Sequence, residues 1–514
     1  MNWSHARPRK DVVCPSCVQL RRRLSVRQAR IVCLRLQLQK SQALLARAQD
    51  RIRELEQAVR PTASNSSVAP SANPIGAPKP VVKKPTGRKP GGQRGHRGAG
   101  RKLLPVERMD GVVRHRPKAC AHCLAVLQDD APSELLGRHQ VAELPEVAVQ
   151  WTEHQSYACR CQRCGKVTRG MIPPEVAAST TGPRLTAAIG IWGAWVKGSR
   201  RALTEMVSQT LGCPICLGSI GNRERELSQA LDQPYRQLLA GIRKARSKYV
   251  DETGWKLHGQ DRWLFVGACK NKVAFRIERT RTRPALLQLL DPKQGIICSD
   301  RHGIYDLWPL ERRQMCWAHL KRDFAAMVER GGAGQSIAER LLEITSQVFA
   351  LWRGFGRRRI GRKSLRRGIF PLRRRMRKML KSGAECGQKK TVGLCRGLLK
   401  REEALWRFVD TPGVEPTNNL AERMLRPAVI WRKKSFGSHS LGGCRYVERM
   451  LSVIQTLRLR GVNVLDYLSA AVKAHRGGLP PPKIPSLGQC RSGVPTGVPN
   501  DATAAPTTEL RKVA

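Results

Sequence analysis

Between residues 247 and 300 the hydrophobic pattern shortens into strand-like runs, and this block constrains the fold more than any other part of the chain. KYVDETGWKL, DRWLFVGACK and KVAFRIERTR are three β-rich segments joined at H-G-Q and K-N, which reads as an antiparallel meander. A helix follows in RPALLQLL, then a short apolar strand, GIICSD, then RRQMCWAHL leading into another helix. Two acids interrupt these apolar runs, Asp251 inside the first strand and Asp300 at the end of the fourth. A lone aspartate in such a run is costly to desolvate unless it has a partner or an ion. Glu252 alternates to the opposite strand face, and Asp306 lies past the fourth strand, in a turn or helix.

Three antiparallel strands followed by alternating helix and strand is the order of a ribonuclease-H-like core, expected over residues 247–475. In that fold the first and fourth strands are neighbours, so Asp251 and Asp300 are expected to converge. A third acid comes from the helix start P-T-N-N-L-A-E-R-M-L-R-P at 416–427. Glu422 stands three residues after Asn419, the spacing of a capping box. It also shares a helix face with Asn418 and Arg426, an amide and a guanidinium placed to orient the carboxylate and hold a phosphate. Two aspartates and a glutamate make a cage for two Mg²⁺ ions about 3.5–4 Å apart, one activating a nucleophile and one stabilising a leaving oxygen.

Charge supplies the partner. The 514 residues carry 94 Lys+Arg against 39 Asp+Glu, a net charge of +55 spread from end to end. Such a chain binds polyanions through counterion release, which makes DNA or RNA the default partner and a membrane surface the weaker alternative. No apolar run is long enough to span a membrane, and MNWSHARPRK lacks a signal-peptide core, so a cytoplasmic, nucleoid-associated protein is expected.

The flanking segments divide into domains. Leu24, Ile31, Leu38, Leu45, Ile52 and Val59 repeat every seven residues, which predicts a leucine-zipper coiled coil over 18–60 and a homo-oligomer. Residues 61–105 hold four prolines between 78 and 90 and then KKPTGRKPGGQRGHRGAGRK, a flexible basic linker. Cys120-x-x-Cys123 and Cys161-x-x-Cys164-Gly, separated by 37 residues, have the spacing of a four-thiolate structural zinc ribbon over 106–170. Cys159 stands close enough to the second pair to leave its membership open. Three helical stretches follow within 184–246, the last two divided by a turn around Gly212-Cys213-Pro214. That is the punctuation of a helix-turn-helix whose second helix starts near Leu217 and presents Asn222, Arg223 and Arg225 to bases.

Between Asp300 and Glu422 lie 121 residues, too many for a loop, so a helical insertion is expected over about 325–410. Its 353–378 stretch holds 13 basic residues and no acid, the composition of a DNA-backbone contact. Residues 476–514 are Pro/Gly-rich and read as a disordered tail.

DETGW at 251–255, SDRHGIYD at 299–306, CWAHLKRDF at 316–324 and NNLAERMLRPAVIWRKKSFGS at 418–438 resemble the bacterial DDE transposases of the insertion-sequence family numbered sixty-six. The likeness covers nearly the whole chain, from zipper to VIQTLRLRGVNVLDYL. It implies that Asp251, Asp300 and Glu422 are the catalytic, metal-holding triad (Mg²⁺, with Mn²⁺ an alternative) and that His319 stands beside them. Arg426, Arg432, Lys433 and Lys434 become expected DNA contacts. Accessory proteins of the same element join DNA and a second copy as expected partners. A non-catalytic DNA-binding regulator or immobile relic is the rival reading, and a ribonuclease acting on hybrids is the second.

Overall fold

The computed structural model describes residues 15–59 and 103–486, apart from 131 and 144–148. Helix α1 (Pro15–Val59) is a unit by itself, 45 residues long, which at 1.5 Å per residue is roughly 68 Å. Leu24, Ile31, Leu38 and Leu45 stand exposed along it. Cys14, the linker up to 102 and residues 487–514 lie outside the described residues.

The second unit begins with two short strands, β1 (Ala158–Arg160) and β2 (Val167–Arg169), paired antiparallel. A helical layer follows: α2 (Pro174–Ala177), α3 (Pro183–Ile191), α4 (Arg200–Leu211), α5 (Leu217–Ala230) and α6 (Asp232–Arg243). Ser199 caps α4 by accepting from Ala202 N, and Gly212 ends it in the left-handed conformation that a residue without Cβ adopts cheaply. The expected helix–turn–helix punctuation is therefore present, with α5 starting at Leu217.

The sheet contains β3 (Ser247–Leu257), β4 (Gln260–Cys269), β5 (Lys272–Glu278), β6 (Ile296–Ser299) and β7 (Arg313–Met315), in the spatial order β5-β4-β3-β6-β7. The first three are an antiparallel meander, and α7 (Arg283–Leu289) carries the chain over to β6. Strands β6 and β7 then run parallel to β3. Helices cover both faces, which explains why β4 reads almost continuously apolar. Leu264, Val266 and Ala268 face one layer while Phe265 faces the other.

Beyond the sheet come α8 (Trp317–Arg330), α9 (Gln335–Gly356), α10 (Arg362–Glu385), α11 (Lys389–Lys400) and α12 (Arg407–Asp410), packed around their own core of Phe324, Leu341, Leu372 and Phe408. The chain returns to the sheet through α13 (Asn419–Ser435), α14 (Leu441–Arg460) and α15 (Val464–Arg476). Helix α14 also seals the sheet edge. Glu448 Oε1, Ser452 Oγ and Thr456 Oγ1, one turn apart, accept from the N–H groups of Ile277, Phe275 and Val273 on β5. A helical turn of about 5.4 Å nearly matches two strand residues, so one helix face satisfies one edge.

On the 353–378 stretch, Leu365, Ile369, Leu372 and Met376 bury one stripe of α10 while the arginines occupy the other. One expectation is corrected. The disordered tail expected from 476 begins too early: Tyr467 OH donates to Pro482 O, and Arg460 Nη1 donates to Ile484 O and Pro485 O.

Candidate active site

Strand register decides where the acids lie. Tyr249 on β3 is opposite Cys298 on β6 in parallel pairing, so Asp251, in the middle of β3, and Asp300, just past the end of β6, each stand two residues beyond that pair on neighbouring strands. Asp251 shares a face with Tyr249 and Trp255, the face that α13 covers. Burial pushes its carboxyl well above the ordinary range, and the charges of Glu252, Glu422 and Asp300 push it further. Asp251 therefore stands close enough to both Glu422 and Asp300 to be repelled by each. Asp300 Oδ1 also accepts from His302 N at 2.9 Å, which fixes the turn after β6.

Glu252 is turned to the other side. Its carboxylate accepts from Arg281 Nε at 2.8 Å and from the Tyr305 hydroxyl. Asp306 is likewise occupied, by Arg313 and by Arg401 at 2.7 Å. Burial pushes Asp306 up, but the hydrogen bonds from Arg401 and Arg313 outweigh it and hold the acid below its usual value. Neither acid is free to join the cage.

Glu422 makes no capping box. The residue flanking the helix start is Asn418, not Asn419, and no side chain caps the helix. The Asn418 side chain is fully buried and donates Nδ2 to Val250 O at 2.6 Å, so it ties α13 to β3 instead of orienting the glutamate. Glu422 Oε1 is buried without a hydrogen-bond partner, and burial raises the carboxyl's pKa against the nearby Arg322 cation. Its nearest groups are His319 Nδ1 at 3.7 Å and Arg322 Nη2 at 3.9 Å.

His319 is buried on the first turn of α8, and its pKa falls to about 4, first through burial and then through Arg322. The imidazole is therefore neutral at physiological pH. Arg322 was missed in the sequence, although its i+3 spacing from His319 is a signal that both share a helix face. Arg301, also missed, pairs with Asp323 at 2.7 Å beside the site.

The C-terminal half of α13 divides by role. Arg426, Lys433 and Lys434 are exposed. Arg432 is half-buried, and its Nη1 donates to Thr253 Oγ1 at 3.1 Å and Gly254 O at 2.6 Å and so pins the helix to β3. Gly437 continues that attachment. At φ +107 a Cβ there would sit 2.3 Å from Lys256 O, so the close approach requires glycine.

On α5, Asn222 and Arg225 are exposed and hydrogen-bonded to each other. Arg223 is withdrawn: it pairs with Glu226 at 2.8 Å and donates to Ser179. The expected three-residue reading surface is thus reduced to two side chains.

The cysteine pairs have matching backbones. Cys120 N donates to Ala125 O and Cys161 N to Lys166 O, each at 2.8 Å, while Leu124 N and Gly165 N donate back to Cys120 O and Cys161 O. Hydrogen bonds from Cys123 and His122 lower the Cys120 thiol's pKa, as those from Cys164 and Arg163 lower that of Cys161. The pair with this geometry is 161–164, whereas Cys159 lies in β1 opposite Thr168. Among the described residues the four knuckle thiols do not gather into one cluster. The metal-ligating atoms that do lie together belong to Cys316, His319 and Glu422.

On α10, Arg366 pairs with Asp410, Arg375 with Glu343, and Arg373 and Arg377 with Glu402. Arg367 and Arg374 on α10, and Arg358 and Arg359 in the turn before it, are exposed and have no ion pair among the described residues. No helix among the described residues is long and apolar enough to cross a membrane.

A family model described as Transposase IS66 family matches residues 181–446, from the helical layer to α14. A second model, of a family of unknown function, matches residues 15–102. The uncharacterized protein y4qI of Sinorhizobium fredii is 29% identical over 255 residues, a match covering 45% of this chain and 45% of that protein. The chain therefore spans under half the length of this curated relative in alignment.

Proposed function

The chain belongs to the IS66 transposase family, and from that premise we propose that it cuts DNA at the ends of a mobile element and joins them to a target by Mg²⁺-dependent phosphoryl transfer. One observation carries the reading: Asp251 in mid-β3 and Asp300 just past β6 each stand two residues beyond the parallel pair Tyr249–Cys298, and the Glu422 charge on α13 acts on Asp251. The strand order, three antiparallel and then two parallel, is that of a ribonuclease-H-like core with α8–α12 as its helical insertion.

Asp251, Asp300 and Glu422 would hold the two ions. The donor set is all carboxylate oxygen, which suits hard divalent cations, and Glu422 Oε1 lacks any hydrogen-bond partner that an ion would have to displace. When bound, the ions supply Lewis-acid charge to the phosphate and acidify an attacking water or 3′-hydroxyl. The chain's own groups do the positioning. Asn418 and Arg432 lock α13 to β3 and so fix Glu422 against Asp251. Neutral His319 can accept a proton or hydrogen bond beside Glu422, while Arg322 and Arg301 bring positive charge towards a phosphate.

The same reading assigns the remaining surfaces. Asn222 and Arg225 would read base edges, and Arg426, Lys433, Lys434 and the free arginines of α10 would hold phosphates. The exposed seam of α1 would pair with a second copy, and a four-thiolate zinc site would require the Cys120–Cys123 and Cys161–Cys164 knuckles, which stand apart among the described residues, to come together. The thiol-lowering hydrogen bonds favour deprotonated sulfur at Cys120 and Cys161.

Cleavage of duplexes carrying the element's own ends is the test. Asp251→Asn, Asp300→Asn and Glu422→Gln should each abolish strand cutting in Mg²⁺ and leave DNA binding intact. Near-normal cutting by Glu422→Gln would remove that residue from the cage. Wild-type protein that binds ends but never cuts would favour the non-catalytic regulator.

A further inference from the structure

Cys316 leaves β7 and flanks the start of α8, and its buried Sγ accepts from Asn418 N at 3.1 Å. One turn later, His319 brings Nδ1 to 3.7 Å from Glu422 Oε1. We propose that Cys316 Sγ, His319 Nδ1 and Glu422 Oε1 form a site for one borderline-soft divalent cation of the zinc class, sharing only Glu422 with the carboxylate cage.

The three ligand atoms all lie within 4.8 Å of one another. Tetrahedral coordination at bond lengths of about 2.0–2.3 Å spaces ligands by roughly 3.3–3.8 Å, so an ion closes a gap of about 1 Å, within reach of side-chain rotation. Two of the three atoms, His319 Nδ1 and Glu422 Oε1, are buried without hydrogen-bond partners. At 3.7 Å they are too far apart to satisfy each other, and a cation between them would satisfy both. Cys316 and His319 are only 1% and 7% exposed, so neither has water as an alternative.

Donor chemistry sets the ion. Thiolate and imidazole select zinc-like metals over magnesium, whereas the aspartates of the cage do the opposite. Binding forms the S–metal bond and releases the Cys316 thiol proton to solvent. Glu422 is 34% exposed on its side chain, which leaves a fourth position for water. Arg322 competes for the same Glu422 oxygen and must turn aside. An ion held here withdraws Glu422 from the Mg²⁺ cage, so zinc-class metals act as inhibitors. That last clause rests on the proposed cleavage, while the site itself does not.

Cobalt titration of the full chain reads the site directly through the thiolate-to-cobalt charge-transfer band. Cys316→Ser should bind one equivalent less than wild type and lose its share of the band, and His319→Gln should do the same. Cys120→Ser, which disrupts a knuckle, should keep that equivalent. Unchanged stoichiometry in both Cys316→Ser and His319→Gln, each with a native circular dichroism spectrum, would overturn the site. In Mg²⁺-supported cleavage, the zinc concentration that halves the rate should rise about tenfold or more in Cys316→Ser. Equal zinc sensitivity would overturn the competition at Glu422. A chain that never cuts would sink the proposed function and leave the cobalt result to decide the site.

Discussion

Asn418 Nδ2 donates to the carbonyl of Val250 at 2.6 Å, which bonds the start of α13 to the residue before Asp251. The contact is fully buried, so the two elements that carry Glu422 and Asp251 are held in register by an amide that never meets solvent. Asn418→Leu fills similar volume but leaves the Val250 carbonyl unsatisfied. It should lower stability by about 1–3 kcal/mol and reduce strand cleavage more than DNA binding. Thermal unfolding and a cleavage assay on the same preparation check this. Full cleavage despite the lost stability would show that α13 is located by other contacts.

The carboxylate cage should be a source of instability when no cation is present. Asp251 is buried against Glu252, Glu422 and Asp300, so its ionised form opposes folding. Asp251→Asn should therefore raise the unfolding temperature in chelator at pH 8, while abolishing cleavage. Added Mg²⁺ should stabilise wild type and have little effect on the variant. A variant less stable than wild type in chelator would mean that Asp251 has a native partner that the geometry does not reveal.

Glu448 should make folding pH-dependent. Burial raises its pKa from 4.5 to about 7, while Ile277 N and the Arg276 cation partly oppose the shift. The folded chain binds this proton more tightly than the unfolded chain. Stability from this group is thus full below pH 4.5 and is lost as the pH rises through about 7. Glu448→Gln keeps an oxygen for Ile277 N and should remove a slope worth at most about 3 kcal/mol between pH 5 and 8. Parallel stability curves for the two proteins would refute the assignment.

Affinity and sequence reading should separate on different helices. Neutralising Arg358, Arg359, Arg367 and Arg374 should weaken binding to any duplex and flatten the salt slope by roughly 0.9 log units per lost contact. Arg225→Ala should cost about 1–3 kcal/mol on the element's ends and little on random DNA. Arg223→Ala should instead lower stability, because that guanidinium is only 12% exposed and pairs with Glu226. A salt titration on both duplexes measures all three. Loss of specific binding alone in the four-arginine variant would reverse the division.

Periodicity and composition by themselves determined the order of elements: a seven-residue seam, two cysteine knuckles, a helical pair broken at Gly212, and a meander followed by alternating helix and strand. These are local properties, because a period of two, 3.5 or 3.6 residues is written in neighbouring side chains. The same alternation that buries Tyr249 and Trp255 on one face separates Asp251 from Glu252. Tertiary structure decided which polar side chains were free. Asn418, Arg432, Arg223 and Asp306 all have the residue type of a ligand-binding group, yet each bonds to a partner far along the chain: Val250, Gly254, Ser179 and Arg401. Cys316 shows the reverse, a residue that reads as packing and lies beside His319 and Glu422. A buried polar group takes whichever partner the fold brings within hydrogen-bond reach, and that distance is set by long-range packing.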